Sequence, residues 1–554
     1  MFWVFFLGNL AGIAVFLLRR GLPEVKAAVK QNKVPVILVL CAECVMGVFL
    51  LFHTVLRRPV MEERLFASAI ALTGLFMMTV FFWTAVAFLF FRPKPHLVTA
   101  VLIPLLGAVY MMLIPFNSVP DEWYHIPTAY RLSNRFLGIE DAYPDVPMRA
   151  DDAAYPLLAW TYDVFLYDYR FTPEHYEEYW LHFTDALENE EIVPTENYPP
   201  ILYPALSSAQ HLAPALGLTL GRLLHLNPFL TFLLGRIFSL ALFTFLMSWA
   251  VKLMPFKKTL LLLVIFMPMM LHQGMSFSYD SFTNALAVWV AAASFYLIYD
   301  TPEEKRRRIC YYVLLFLFTI LLCYCKQHAL IAFALFPPYV LYRNGILKKR
   351  LLYGALCAAF VLVLGYVLYT FFTLRAQGLP GPDLMADHFT LNYVAHHPLH
   401  SFRILLTKFI ENFGYGDDLF LECSGSVLGS LVIYIPRGYI MLYLLLCLLA
   451  LFRCEEGTAL PRAEERALML FTFAVSYFGV VFIHLISTYT KKTAYTVGGI
   501  QGRYLLPVIF PFFYALQTKR IRHDIPIDKI AVPAAVGLHF FITLFILYSS
   551  PVLP

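Results

Sequence analysis

The sequence predicts an all-α integral membrane protein, a bundle of about 14 transmembrane helices with a large external loop subdomain between helices 4 and 5. Three observations predict it. Of 554 residues, 60% are apolar and only 14% are charged, whereas a soluble chain needs roughly a quarter charged residues to cover its surface. The apolar residues gather into runs of membrane-spanning length, and most of the Lys and Arg fall in alternate short loops. This composition excludes an ordinary globular enzyme, a disordered chain and a fibre. The net charge of +5 resides mainly in those short loops, so it reports topology rather than nucleic-acid binding.

The apolar runs lie near 1 to 18, 34 to 56, 65 to 91, 97 to 116, 229 to 251, 259 to 272, 281 to 299, 310 to 325, 329 to 342, 351 to 374, 431 to 452, 467 to 487, 504 to 517 and 530 to 550. Each is expected to be helical, because backbone amides in hydrocarbon are satisfied only within their own segment. The first run has neither a basic n-region nor a small-residue cleavage site, so no cleavable signal is expected there. With the amino terminus outside, the basic clusters Arg19–Arg20, Lys305 to Arg308, Lys348 to Arg350 and Lys519 to Arg522 share one side. By the positive-inside rule that side is cytoplasmic. Eight of nine cysteines fall in or beside apolar runs and only Cys423 is expected outside, so no external disulfide is expected.

The same topology puts 117 to 228 outside. Between 117 and 200 this loop holds seventeen Asp and Glu against four Arg, with no further apolar span. Structured loops of that length are usually functional. A second external segment, about 375 to 430, contains an amphipathic stretch, Phe389 to Phe413, suited to the membrane interface.

Candidate chemistry clusters at the outer ends of the helices. Asn117-Ser-Val-Pro-Asp-Glu-Trp-Tyr-His125 follows the fourth helix and sets Asp121, Glu122 and His125 where lipid meets water, as candidate base, second acid and titratable ring. The alternative is a Pro-Asp-Glu helix start in which Asp121 merely caps a helix from Trp123 to Arg135. Asn197 to Pro204, with Tyr203, brings rigid proline turns and tyrosines that suit a sugar or a prenyl head group, or else an aromatic belt. Asp280 and Asn284 share one helical face at another external mouth, as a functional site or as a simple helix cap. Lys326 interrupts an apolar hairpin at its external tip, where it can neutralise a phosphate or simply anchor the tip. Gly498-Gly-Ile-Gln-Gly-Arg-Tyr504 has glycines that let the backbone approach a ligand closely, and places Arg503 outside, against the inside bias, as a planar cation suited to phosphate or as a snorkelling anchor.

In this order the motifs Pro120 to His125, Tyr198-Pro-Pro with Tyr203, Ser278 to Asn284, Lys326 and Gln501 to Pro507 resemble the bacterial membrane-protein family DUF2142, placed with the GT-C superfamily of integral-membrane glycosyltransferases. The resemblance covers roughly 97 to 520. It implies a GT-C-like catalytic core in 97–520 including the external loops 117–228 and 375–430, and the apolar runs outside it are expected to form three accessory N-terminal transmembrane helices in 1–96 and a C-terminal transmembrane helix in 521–554. The chain departs from the family pattern in its long acidic loop, 138 to 197, and in Lys326-Gln-His, where an aromatic would be more usual.

What the resemblance implies is transfer of a sugar from a polyprenyl-phosphate donor to a cell-surface glycan or lipid acceptor, at the extracytoplasmic face of a bacterial plasma membrane. Asp121 would be the base, with Glu122 or His125 orienting the acceptor. Arg503, Lys326 and Gln501 would hold the donor phosphate, and Asp280, Asn284, Tyr203 and Tyr504 the sugar or acceptor. No cofactor is expected, with a divalent Mg or Mn on Asp121, Glu122 and Asp280 as the alternative. The competing classes are a flippase or transporter of lipid-linked sugars and a noncatalytic glycan-assembly subunit. Transporters usually hold their polar groups near the midplane, whereas here those groups collect at one face.

Overall fold

The computed structural model describes residues 2–52, 54, 64–140, 145–154, 179–195, 205–376, 387–414, 419–429, 433–454, 459–518 and 520–552. Among them seven helices are long and apolar enough to cross a membrane: Lys33–Leu51, Ser68–Phe91, Pro95–Leu113, Pro228–Leu253, Asp280–Tyr299, Lys305–Tyr324 and Ala463–Leu485. Gly8–Leu18, Arg437–Phe452 and Ala531–Leu547 are shorter apolar helices, and Lys349–Ala376 is a long one over the run expected at 351 to 374. At 1.5 Å per residue, about 20 residues span the roughly 30 Å of hydrocarbon.

The Asp280–Tyr299 helix forms the centre of the bundle. It is 89% buried, against 11% for Lys33–Leu51 at the periphery. Its fully buried Trp289 meets the rings of Trp249 and Phe318 on the two neighbouring helices, with centroids 4.9 and 4.5 Å away. Apolar side chains all round the helix suit such a position, because no face of it meets lipid.

Three expected spans are instead short buried pieces. The run 259 to 272 breaks into Lys258–Ile265 and Pro268–Gly274, since Pro268 has no N–H to extend the first ladder but fits the first turn of the second. Prolines likewise open the short helices Phe336–Arg343 and Leu506–Ala515 in the runs 329 to 342 and 504 to 517. Each of these two follows a turn of tighter helix, Ile331–Leu335 and Gly502–Leu505. Irregular backbone at this depth is tolerable where protein surrounds it. It also brings loop residues inside the bundle.

The C-terminal helix Ala531–Val552 joins the first helices to the rest. Gly537 lies against Met46 and Phe81, while His539 bonds the Tyr110 hydroxyl at 3.0 Å and the Phe266 carbonyl at 2.7 Å. Within 117 to 228 the chain forms helices Glu122–Phe136 and Leu212–Leu223 and the antiparallel pair Met148–Arg149 with Ile192–Val193. Arg149 holds Asp152 in a two-pronged bridge of 2.8 and 2.9 Å, and also donates to the Leu226 carbonyl and Thr231. Tyr130 donates to the same Asp152 at 2.6 Å. This network fastens the short antiparallel pair to the Glu122–Phe136 and Pro228–Leu253 helices. The Asn197 to Pro204 motif, including Tyr203, lies outside the described residues. The amphipathic stretch forms two helices, Leu391–His396 and Pro398–Gly414, divided at Pro398.

Candidate active site

The site begins where the Pro95–Leu113 helix ends. Its terminal carbonyls lack helical donors, and Arg236 supplies them, donating to Ile114 O at 2.6 Å and Pro115 O at 2.7 Å. The same guanidinium bridges the Glu122 carboxylate, at 2.7 and 3.2 Å, and lies over the Phe116 ring. Glu122 further accepts from the backbone N–H of Asn117 at 2.9 Å and of Phe277 at 3.0 Å. Both side chains are fully buried. Glu122 thus faces away from Asp121 and welds three segments of the bundle together.

Asp121 occupies the N-cap position of Glu122–Phe136 but makes no side-chain cap hydrogen bond. Its backbone is left-handed, with φ 64° and ψ 6°, which Asp tolerates better than most residues. That turn sends adjacent carboxylates in different directions, Glu122 inward to Arg236 and Asp121 to Arg503. The capping alternative therefore does not describe this side chain.

Arg503 joins the two remaining acids. Its Nη2 pairs with Asp121, its Nη1 with Asp280 at 3.2 Å, and its Nε donates to Gln501 Oε1 at 2.6 Å. Lys326 completes the cluster with Nζ 2.5 Å from Asp280, between the rings of Tyr279 and Tyr504 at 5.6 and 4.9 Å. Two carboxylates and two cations alternate, so the cluster is neutral and each charge has a partner, which its burial demands. The side chains of Arg503, Asp280 and Lys326 are 1%, 0% and 5% exposed, but that of Asp121 is 35% exposed. Of the four, Asp121 is the one a solvent-borne hydroxyl can reach.

Burial works to raise the Asp121 carboxyl, but Arg503, His125 and Lys326 outweigh it and hold it below the usual aspartate range. Burial also lowers the Lys326 ammonium, against the pull of Asp280. Asp280 opens its helix, so the positive end of the helix dipole adds to the cations around it.

Behind the cluster lies a pair of buried imidazoles. His125 Nδ1 and His211 Nε2 are 2.9 Å apart, one donating and the other accepting, and the Tyr279 ring packs edge-on to His125 at 4.6 Å. Burial brings His125 down to about 4 and lowers His211 as well, so both rings are neutral near pH 7. His125 Nε2 has no partner among the described residues, and neither does either amide atom of the fully buried Asn284. Asn284 lies one turn beyond Asp280 on the same face of their helix.

The loop carrying Arg503 is positioned by close packing on the protein itself. A Cβ on Gly502 would overlap the backbone N of Cys423 and the Cβ of Glu422, and the Gly502 N–H donates to Glu422 at 3.0 Å. Gly498 and Gly499, the latter with φ +78°, lie against Tyr489 in the same way. Cys423, expected in an external loop, is fully buried beneath this contact. Gln501 orients the guanidinium, and the Tyr504 ring lies under both cations.

Arg236, Tyr279 and Glu422 were not singled out from the sequence. The signal for Arg236 was present: a charge within an apolar helix is costly unless paired. Among the described residues no group of three or more His, Cys, Asp and Glu side chains is placed to hold a metal ion. Glu122, Asp121 and Asp280 do not form a ligand set, because one points to Arg236 and the other two share Arg503.

The helical bundle and its apolar spans define a multi-pass membrane protein. The chain belongs to the family described as predicted membrane protein (DUF2142), which matches residues 104–511, as its motifs suggested. No curated protein and no solved structure shows a significant match to it.

Proposed function

We propose that this chain is a GT-C-type membrane glycosyltransferase that moves a sugar from a polyprenyl-phosphate donor to a hydroxyl of a cell-surface glycan or lipid, with inversion, at the extracytoplasmic face of the plasma membrane. The observation that carries this reading is the Arg503 bridge between the accessible Asp121 and the buried Asp280, with Lys326 on the far carboxylate. A carboxylate open to an incoming hydroxyl, beside cations suited to a phosphate, is what transfer from a phosphate leaving group needs.

In this mechanism the donor phosphate enters beside Arg503 and Lys326 and takes over hydrogen bonds that Arg503 now gives to Asp121. Loss of that partner makes Asp121 more basic as the donor binds. The acceptor oxygen forms its bond to the anomeric carbon as the carbon–oxygen bond to phosphate breaks. The hydroxyl proton passes to Asp121, and the electron pair leaves with the lipid phosphate, whose added charge the two cations hold. Asp280 fixes both cations, Gln501 aims Arg503, and the unpaired Asn284 amide and Tyr504 are available to the sugar. The glycan or lipid acceptor approaches from the exposed side of Asp121.

The test is to incubate the purified protein in lipid nanodiscs with a labelled polyprenyl-phosphate sugar and a panel of glycan and lipid acceptors. Labelled acceptor together with free polyprenyl phosphate is the expected product. In proteoliposomes, movement of the donor between leaflets without sugar transfer would replace this reading with that of a flippase.

A further inference from the structure

A second feature lies at the opposite end of the bundle. The Pro95–Leu113 helix runs from His96 to the turn before Asp121, so its 19 residues set the two ends about 28 Å apart. At the far end, between this helix and Pro228–Leu253, a groove of about 650 Å³ opens on the outer surface of the bundle. Its walls include Pro104, Ile237, Leu240, Phe245 and Trp249. Phe245 and Ile237 are exposed and face outward.

The groove is apolar along its length and polar at one end. Lys252 and His96 line that end, Lys94 is the residue that caps the start of the His96 helix, and Lys258 lines the adjoining cavity with Pro95. Ser248, one turn before Lys252, has a buried hydroxyl with no partner among the described residues. Pro104, another groove residue, has no N–H to donate to the carbonyl of Ala100, which also lines the groove. A basic mouth, a short polar zone and an apolar channel match the phosphate, the glycerol ester and the acyl chain of a phospholipid. Basic pockets between helices recruit anionic head groups in this way.

We propose that this groove binds one anionic glycerophospholipid of the leaflet opposite the Asp121 end, with its phosphate at Lys252, Lys258 and Lys94 and one acyl chain along Leu240, Phe245 and Trp249. The site is separate from the Arg503 cluster and does not depend on its chemistry.

Native mass spectrometry of the protein released from nanodiscs tests it, with phosphatidylglycerol and phosphatidylcholine of identical acyl chains as probes. The expected result is about a tenfold preference for retaining phosphatidylglycerol. The Lys252→Gln/Lys258→Gln variant should lose the preference. Ala241→Trp, which fills the groove and leaves every charge in place, should lose the bound lipid. Both are checked for an unchanged melting temperature, and inorganic phosphate should not displace the lipid. Equal retention of the two lipids, full retention by either variant, or displacement by inorganic phosphate would each overturn the proposal.

Discussion

Asp121 and Arg503, 382 residues apart in the chain, form an ion pair at one end of the helical bundle, and the same guanidinium reaches Asp280. A single planar cation therefore positions both acids. Its rigid fork reaches two carboxylates from separate nitrogens, a geometry that a compact ammonium does not reproduce.

Replacing Arg503 should consequently cost more than a phosphate contact. Arg503→Lys keeps the charge but loses the planar fork that holds Asp121 and Asp280 in fixed positions, so it should lower sugar transfer by about 10² to 10³, close to Arg503→Ala. Steady-state transfer rates check this. Near-complete rescue by lysine would show that charge alone suffices.

Glu122 should behave differently from its neighbour. It is fully buried against Arg236, and removing one partner of such a pair leaves an uncompensated charge, a loss of about 3–5 kcal/mol. Glu122→Gln should therefore lower the thermal midpoint and the yield of folded protein, whereas Asp121→Asn, at the part-exposed edge of its cluster and with Asp280 still on Arg503, should lower both by less. Thermal unfolding in detergent reads the contrast.

Much of this contrast lay beyond the sequence. Asp121, Asp280, Lys326 and Arg503 stand out in an apolar chain because each is a charge at the mouth of a membrane helix. Which of two adjacent carboxylates turns inward depends on the positive φ at Asp121 and on Arg236, more than a hundred residues away. Helix runs were legible from their length and apolarity. Breaks at Pro268, Pro337 and Pro507 were harder to place, because a proline in the first turn of a new helix and a proline inside a longer one look alike in a hydropathy pattern. The glycines at 498 to 502 signalled close approach, but not that the approaching surface is the protein's own Tyr489 and Cys423.

Gly502→Ala tests that packing. The added methyl group has no room beside Cys423 and Glu422, so the loop must shift and carry Arg503 with it. We expect weaker donor binding along with a lower thermal midpoint. An alanine variant with wild-type donor affinity would mean that this contact does not position Arg503.

The pH dependence should carry the signature of partner exchange. Asp121 accepts a proton only when ionised, and in the free protein its carboxyl is held below the ordinary value of about 3.9, so kcat/KM should stay level down to acidic pH. With donor bound, Arg503 is shared with phosphate and the carboxyl rises, so the acid limb of kcat should fall at higher pH than that of kcat/KM. His125, held at about 4, should add no inflection near its ordinary 6.5. Coincident limbs in the two profiles would argue that the donor leaves the Asp121–Arg503 pair intact.

The most direct test is single-turnover sugar transfer by Asp121→Asn at saturating polyprenyl-phosphate sugar, with donor binding measured on the same sample. The account predicts retained donor binding and a chemical step slowed by about 10² to 10⁴, the usual worth of a general base. Transfer at the undiminished wild-type rate would contradict it.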